Sequence, residues 1–160
     1  MTDRSYRLPL AMLLISAAAL SGAYASQHLG GLQPCSLCLY QRWPWWIAGG
    51  LAILALLFDG KRLIFRALIA FSALTVLVGT GIAVYHVGVE EGWWMGPTAC
   101  SSVAAAPQTL EELRAQVLGA PVVRCDDIAW SLFGISMAGY NALISLATGL
   151  TALALLRRST

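Results

Sequence analysis

What this chain lacks most is charge. Only 11% of its 160 residues are Asp, Glu, Lys or Arg, while 58% are hydrophobic; a soluble domain carries about 25% charged residues. With a mean hydropathy of +0.70, that scarcity excludes an ordinary soluble fold and makes the chain an integral membrane protein. The basic residues form no stripe interleaved with aromatics, so the net charge of +2 gives no nucleic-acid surface. Internal repeats and low-complexity stretches are missing too. Of the 4 cysteines, only Cys35 and Cys38 are closely spaced, which tells against the two short-spaced pairs of a structural zinc site.

In place of charge there are four apolar segments, Leu8–Leu29, Trp43–Phe58, Leu63–Tyr85 and Ser131–Leu156. A spanning helix takes about 20 residues and satisfies its own backbone hydrogen bonds, as lipid requires. The second segment is short and is expected to begin nearer Cys38. The third spans if Arg66 snorkels to the interface. The expected fold is therefore all-α: a four-transmembrane-helix bundle forming one membrane domain over 1–160. Its helices are placed at about 8–29, 43–58, 63–85 and 131–156, and its outward loops at about 30–42 and 86–130. Asp59-Gly60-Lys61-Arg62 is a short turn, which makes the middle two helices an antiparallel hairpin.

The positive-inside rule orients the bundle. Arg4, Arg7, Lys61, Arg62, Arg66, Arg157 and Arg158 fall on one side; Arg42, Arg114 and Arg124 fall on the other with six of the acids. Both termini are then cytoplasmic, as expected of a multi-pass protein of a bacterial inner membrane. Cys35, Cys38, Cys100 and Cys125 all lie in the two outward loops, on the periplasmic, oxidising side where disulfides form. Trp43, Trp45, Trp46, Trp93, Trp94 and Trp130 are outward as well, near the headgroup zone that indoles favour. The N-terminal segment has a second reading. Basic residues, an apolar run and Ala23-Tyr24-Ala25 look like a cleaved signal peptide, but the run is longer than a usual signal core, which favours a retained helix.

Within the long loop, Thr109-Leu110-Glu111-Glu112 is a capping box. Leu110, Leu113, Val117 and Leu118 follow at helical spacing, and Gly119 with Pro121 ends the run. This predicts a short amphipathic helix, lying on the membrane interface or packed on the bundle.

Cys35-Ser36-Leu37-Cys38 carries the chemistry. A Cys-x-x-Cys pair is a redox or metal device. A helix starting near Cys38 would favour its thiolate through the macrodipole, and Arg42, at i+4 from Cys38, would add positive charge and hold a ligand oxygen. The bland alternative for Arg42 is interfacial snorkelling. Pro44 complicates the geometry: a helix two that starts there leaves Cys38 and Arg42 in a pre-helical turn. Cys100 and Cys125 are either a static staple or a second pair that exchanges with the first. His86 ends helix three at the outward interface, as an ordinary interfacial histidine or as one that meets a ligand oxygen. It is also a possible fourth metal ligand, though no metal is expected. Asp126 and Asp127 would raise the thiol pKa of Cys125, and His28 reads as interfacial filler.

Cys-x-x-Cys-x-x-x-Arg opening helix two, a long outward loop with two cysteines, and Trp130-Ser131-Leu132-Phe133-Gly134-Ile135-Ser136-Met137 opening helix four together resemble the disulfide bond formation protein B (DsbB) family, over almost the whole chain. That resemblance implies a thiol:quinone oxidoreductase. It would reoxidise a soluble DsbA-like periplasmic thiol oxidase and pass two electrons to a membrane quinone, ubiquinone or menaquinone. By matching motif, Cys35 and Cys38 would be the quinone-proximal pair, with Cys38 the thiolate at the quinone. Arg42 would bind the quinone carbonyl region, with His86 nearby. Cys100 would form the mixed disulfide with the partner, Cys125 would be its mate, and a Cys35–Cys125 disulfide would be the intermediate. Vitamin K epoxide reductase-like proteins run electrons the other way, but their Cys-x-x-Cys lies late in the bundle. The reading from another class is a non-catalytic tetraspan scaffold with two static disulfides.

Overall fold

A computed structural model describes residues 6–58, 61–97, 109–111, 114 and 124–158. Five helices are complete among them: α1 (Arg7–His28), α2 (Ser36–Tyr40), α3 (Arg42–Leu57), α4 (Arg62–Glu90) and α5 (Met137–Arg158). Three of these, α1, α4 and α5, are long and apolar enough to cross a membrane. This is a multi-pass membrane protein. α3 has 16 residues, about 24 Å at 1.5 Å per residue, and falls short of the roughly 30 Å hydrocarbon core alone.

The expected segments hold at three helix starts and shift elsewhere. The run expected at 8–29 is 7–28, and α1 continues unbroken through Ala23-Tyr24-Ala25. The second segment, expected at 43–58, is 42–57, with α2 as a separate piece before it. Pro44 explains the division. In the first turn of α3 its missing N–H is an orphan in any case, but Tyr40 thereby lacks an i+4 donor and the helix breaks at Gln41. The third helix runs to Glu90 rather than Tyr85, so His86 stands inside a helix and not at its end. Two features hold that extra turn. Trp94 Nε1 donates to the Tyr85 carbonyl at 2.8 Å, and its ring occupies the place a Cβ on Gly88 would take.

The largest correction is at residue 131. Helix four does not open at Ser131. Ser131–Leu132 and Ile135–Ser136 form a two-stranded antiparallel hairpin, and α5 begins only at Met137. Phe133 and Gly134 turn the hairpin with φ of 52° and 77°, the paired positive values of a type I′ turn. Ser136 then caps α5, its Oγ accepting from the Gly139 N–H at 3.1 Å. In the loop, residues 110, 111 and 114 are helical; the rest of the expected amphipathic helix lies outside the described residues.

α4 packs on both α3 and α5, and α3 packs on α1. Small residues allow these approaches: Ala48, Ala52, Ala73 and Ala152 meet in one core with Met12, Leu20, Trp45 and Val76. Lipid offers helices no hydrophobic drive toward each other, so close packing and buried hydrogen bonds carry the association. Ser72 Oγ donates to the Ala48 carbonyl at 3.0 Å, and Thr80 Oγ1 to Ser145 Oγ at 2.9 Å. α1 and α5, by contrast, scarcely touch.

Candidate functional site

The site is built at the N-terminus of α2. Cys35 is its N-cap, with extended backbone, and its sulfur accepts the Cys38 N–H at 3.2 Å. The CxxC spacing thus places one sulfur at the cap and the other one turn along. Both are free thiols, and their Sγ atoms lie 2.9 Å apart. Cys35 is 5% exposed. Around it are Leu37, Val89, Cys125 and the half-buried Cys38.

Charge is divided unequally between the two sulfurs. The hydrogen bond shared with Cys38 holds the Cys35 thiol down to about 4 against the cost of burial, helped by His86 and by the Cys38 N–H. Cys38, on the other side of that contact and itself desolvated, is pushed up. The macrodipole argument made for Cys38 therefore falls on Cys35: the helix begins at Ser36, so the capping sulfur is the one that gathers donors. The Cys38 N–H and the neighbouring donors thus favour the thiolate at Cys35 in the dithiol state.

His86 comes from α4, with Nε2 3.5 Å from Cys35 Sγ and 3.9 Å from Glu90 Oε1. Glu90, expected in a loop, is a buried end of α4, and its Oε2 accepts from Ser136 Oγ at 2.5 Å. Nδ1 of His86 faces Gln41 Nε2 at 2.7 Å. Gln41 Oε1 accepts from Asn141 Nδ2 at 2.6 Å, and Asn141 Oδ1 accepts from Trp45 Nε1 at 2.8 Å. Gln41, Asn141 and Glu90 were not foreseen as site residues. An intramembrane polar side chain among apolar neighbours is a signal for such residues, and Asn141 carries it.

Arg42 does not bond to the thiols. Its guanidinium donates to Gln27 Oε1 at 2.8 Å and to the Ala23 carbonyl at 3.5 Å, and sits 4.7 Å above the Tyr24 ring. It nonetheless lines the same cavity, of about 470 Å³, as Cys35, Cys38, Gln41 and His86. The apolar walls of that cavity come from α1 (Ala19, Ala23) and α5 (Ala138, Ile144), so it fills the gap between the two helices that scarcely touch. Cys125 lies at the other side of Cys35, engaged in a disulfide, its Sγ 3.5 Å from Ser36 Oγ. Cys100 lies outside the described residues. Asp126 is paired with Arg124. His28 stacks on Tyr24, ring centroids 6.2 Å apart.

A thiolate–thiol pair at the mouth of an apolar cavity, carried by a multi-pass bundle, defines a membrane-embedded thiol oxidoreductase class. The chain belongs to the DsbB family: the model for disulfide bond formation protein DsbB matches residues 5–155. It is 32% identical over 143 residues to disulfide bond formation protein B of Histophilus somni (strain 129Pt), covering 83% of this chain and 76% of that one. The corresponding protein of Haemophilus influenzae (strain 86-028NP) is 33% identical over 141 residues, with 83% and 76% covered. An uncharacterised protein of Rickettsia prowazekii (strain Madrid E) is 30% identical over 146 residues, with 90% and 83% covered. Membership carries an oxidoreductase role in disulfide formation.

Proposed function

We propose that this protein is a thiol:quinone oxidoreductase that reoxidises a DsbA-like periplasmic dithiol protein and passes two electrons to ubiquinone or menaquinone. The observation that carries this reading is the cavity: Cys35 and Cys38 line an apolar space walled by α1 and α5. Its volume of about 470 Å³ lies in the range of small-ligand sites, roughly 300–1,000 Å³. Its chemistry suits a flat apolar ring bearing carbonyl acceptors, with Arg42 as the cationic donor and Cys38 on the lining. A quinone supplies an acceptor for two electrons and two protons.

The residues then divide the work. Oxidation of the Cys35–Cys38 dithiol to its disulfide releases two electrons and two protons. Cys35 is already ionised, so one proton leaves before transfer; the other departs from Cys38 as the S–S bond forms. Glu90 neighbours the pair and offers a place to hold a proton, while His86 faces Cys35 as a hydrogen-bond partner. The soluble partner's thiolate would attack Cys100 and free Cys125. Cys125 would then attack the Cys35–Cys38 disulfide, forming the Cys35–Cys125 intermediate as Cys38 leaves, and closure of the partner's own disulfide would free Cys100 to retake Cys125, which leaves Cys35 and Cys38 as a dithiol. The orientation that fits has both termini cytoplasmic, all four cysteines periplasmic, and α3 completing a fourth span together with α2.

The test is anaerobic reduction of a soluble quinone by the purified full chain after addition of reduced DsbA-like protein, followed optically. Stoichiometric reduction that is lost in Cys100→Ser and in Cys38→Ser is expected. No reduction with any dithiol protein would leave the static-disulfide scaffold as the better account.

A further inference from the structure

The hydrogen-bond chain that ends on Cys35 begins at a group with no freedom of role. An indole N–H only donates. Trp45 Nε1 faces Asn141 at 2.8 Å, so the Asn141 oxygen must point to it and the Asn141 nitrogen must point away. That nitrogen meets Gln41 at 2.6 Å, which requires the Gln41 oxygen there. The Gln41 nitrogen, a donor, is then left facing His86 Nδ1 at 2.7 Å. Nδ1 must accept, so in the neutral ring the proton sits on Nε2. The surroundings of Nε2 agree. It is 3.5 Å from the Cys35 sulfur and 3.9 Å from Glu90 Oε1, both acceptors when ionised.

We propose that Trp45, Asn141 and Gln41 are positioning residues that fix His86 as its Nε2–H tautomer, so that the imidazole donates to Cys35 and does not take its proton. The device spans three elements: α3 supplies Trp45, α5 supplies Asn141 and the α2–α3 break supplies Gln41. Reversing any one amide would set two N–H groups against each other in a buried place, at a cost no solvent relieves. The same tautomer has a second effect. The ligand atoms of Cys35, Cys38 and His86 all lie within 4.8 Å of one another, close enough to hold a soft metal ion. An Nε2 that carries a proton has no lone pair to offer one.

The inference rests on the proposed redox function only for its place in turnover, since the tautomer is read on reduced protein without quinone. Groups facing the Cys35–His86 pair are Cys38 on α2 and Glu90 on α4, with Arg42, Arg124 and Asp127 around the cavity. None of these is altered by the variants below.

The experiment is nitrogen NMR of the full chain in lipid nanodiscs, labelled at histidine and reduced with dithiothreitol. The chain has 2 histidines, so His28→Gln assigns the spectrum. Expected in the parent is an unprotonated Nδ1 and a protonated Nε2 at His86. Asn141→Asp gives an acceptor toward both Trp45 and Gln41, turns the Gln41 amide around and moves the proton to Nδ1. The titration midpoint of Cys35 then rises by roughly one to two pH units, the loss of one hydrogen bond to a charged sulfur. Trp45→Phe removes the fixed donor and gives a mixture of tautomers; it decides the matter if Asn141→Asp does not accumulate. A protonated Nδ1 in the parent overturns the proposal, as does the parental pattern in both variants.

Discussion

Replacing Cys38 by alanine tests where the charge of the pair resides. The substitution removes the sulfur 2.9 Å from Cys35 Sγ but keeps the backbone N–H that the same sulfur accepts at 3.2 Å. The sulfur contact is the largest cause holding Cys35 at about 4, against an ordinary thiol value of 9.0. A hydrogen bond to a charged group contributes about 1.5–3 kcal/mol, or roughly one to two pH units at about 1.36 kcal/mol per unit. The midpoint in Cys38→Ala should rise by that amount and stop well short of 9.0, because the N–H and His86 remain. Cys38→Ser restores an O–H donor and should recover most of the shift. The sign is that of any depressed acid: the thiolate persists as pH falls, so parental alkylation is lost only near pH 4, and the alanine variant loses it at higher pH. The assay is the rate of iodoacetamide modification against pH, on reduced protein carrying Cys100→Ser and Cys125→Ser so that only this pair reports. A midpoint in Cys38→Ala equal to or below the parent's refutes the assignment of charge to Cys35 through its partner sulfur.

Other substitutions separate binding from packing. Arg42→Ala removes the bonds to Gln27 and Ala23; the quinone KM should rise by about tenfold or more while the Cys35 midpoint stays put, as steady-state kinetics and alkylation would read. Gly79→Ala places a Cβ 2.9 Å from the Pro44 ring, a rigid neighbour that can yield only if α3 and α4 part. A loss of about 1–3 kcal/mol should appear as a lower Tm, whereas Gly81→Ala, with nothing within 4 Å, should leave Tm unchanged.

Much of this molecule is legible in its sequence because lipid simplifies the code. Charge scarcity and segment length locate α1, α4 and α5 within a few residues at most ends, since a continuous apolar segment of that length spans as a helix. The misses have local causes. Phe133-Gly134 is a turn signal that the apolar flanks of Ser131–Met137 conceal, so hairpin residues read as helix. The last turn of α4 follows Trp94 folding back over Gly88, a contact that hydropathy does not report. At the site, Cys35, Cys38, Arg42 and His86 are visible from spacing and motif. Gln41 and Asn141, 100 positions apart, have no shared local pattern and become partners only through packing. The expectation of a charged Cys38 rested on a helix starting there; the helix starts at Ser36, and the capping position belongs to Cys35.

Cys125 shares a buried cluster with Cys35, and this has a kinetic meaning. Exchange between two sulfurs held in one cluster is first order, governed by an effective concentration that exceeds the roughly millimolar value a short flexible tether gives. Diluting the protein in the membrane leaves that step unchanged. In the proposed cycle, delivery of reducing equivalents from a soluble protein would be second order and would slow in proportion as that protein is diluted. Dilution of the soluble protein would therefore sort the proposed steps: whatever persists does not wait on that encounter, and whatever fades does.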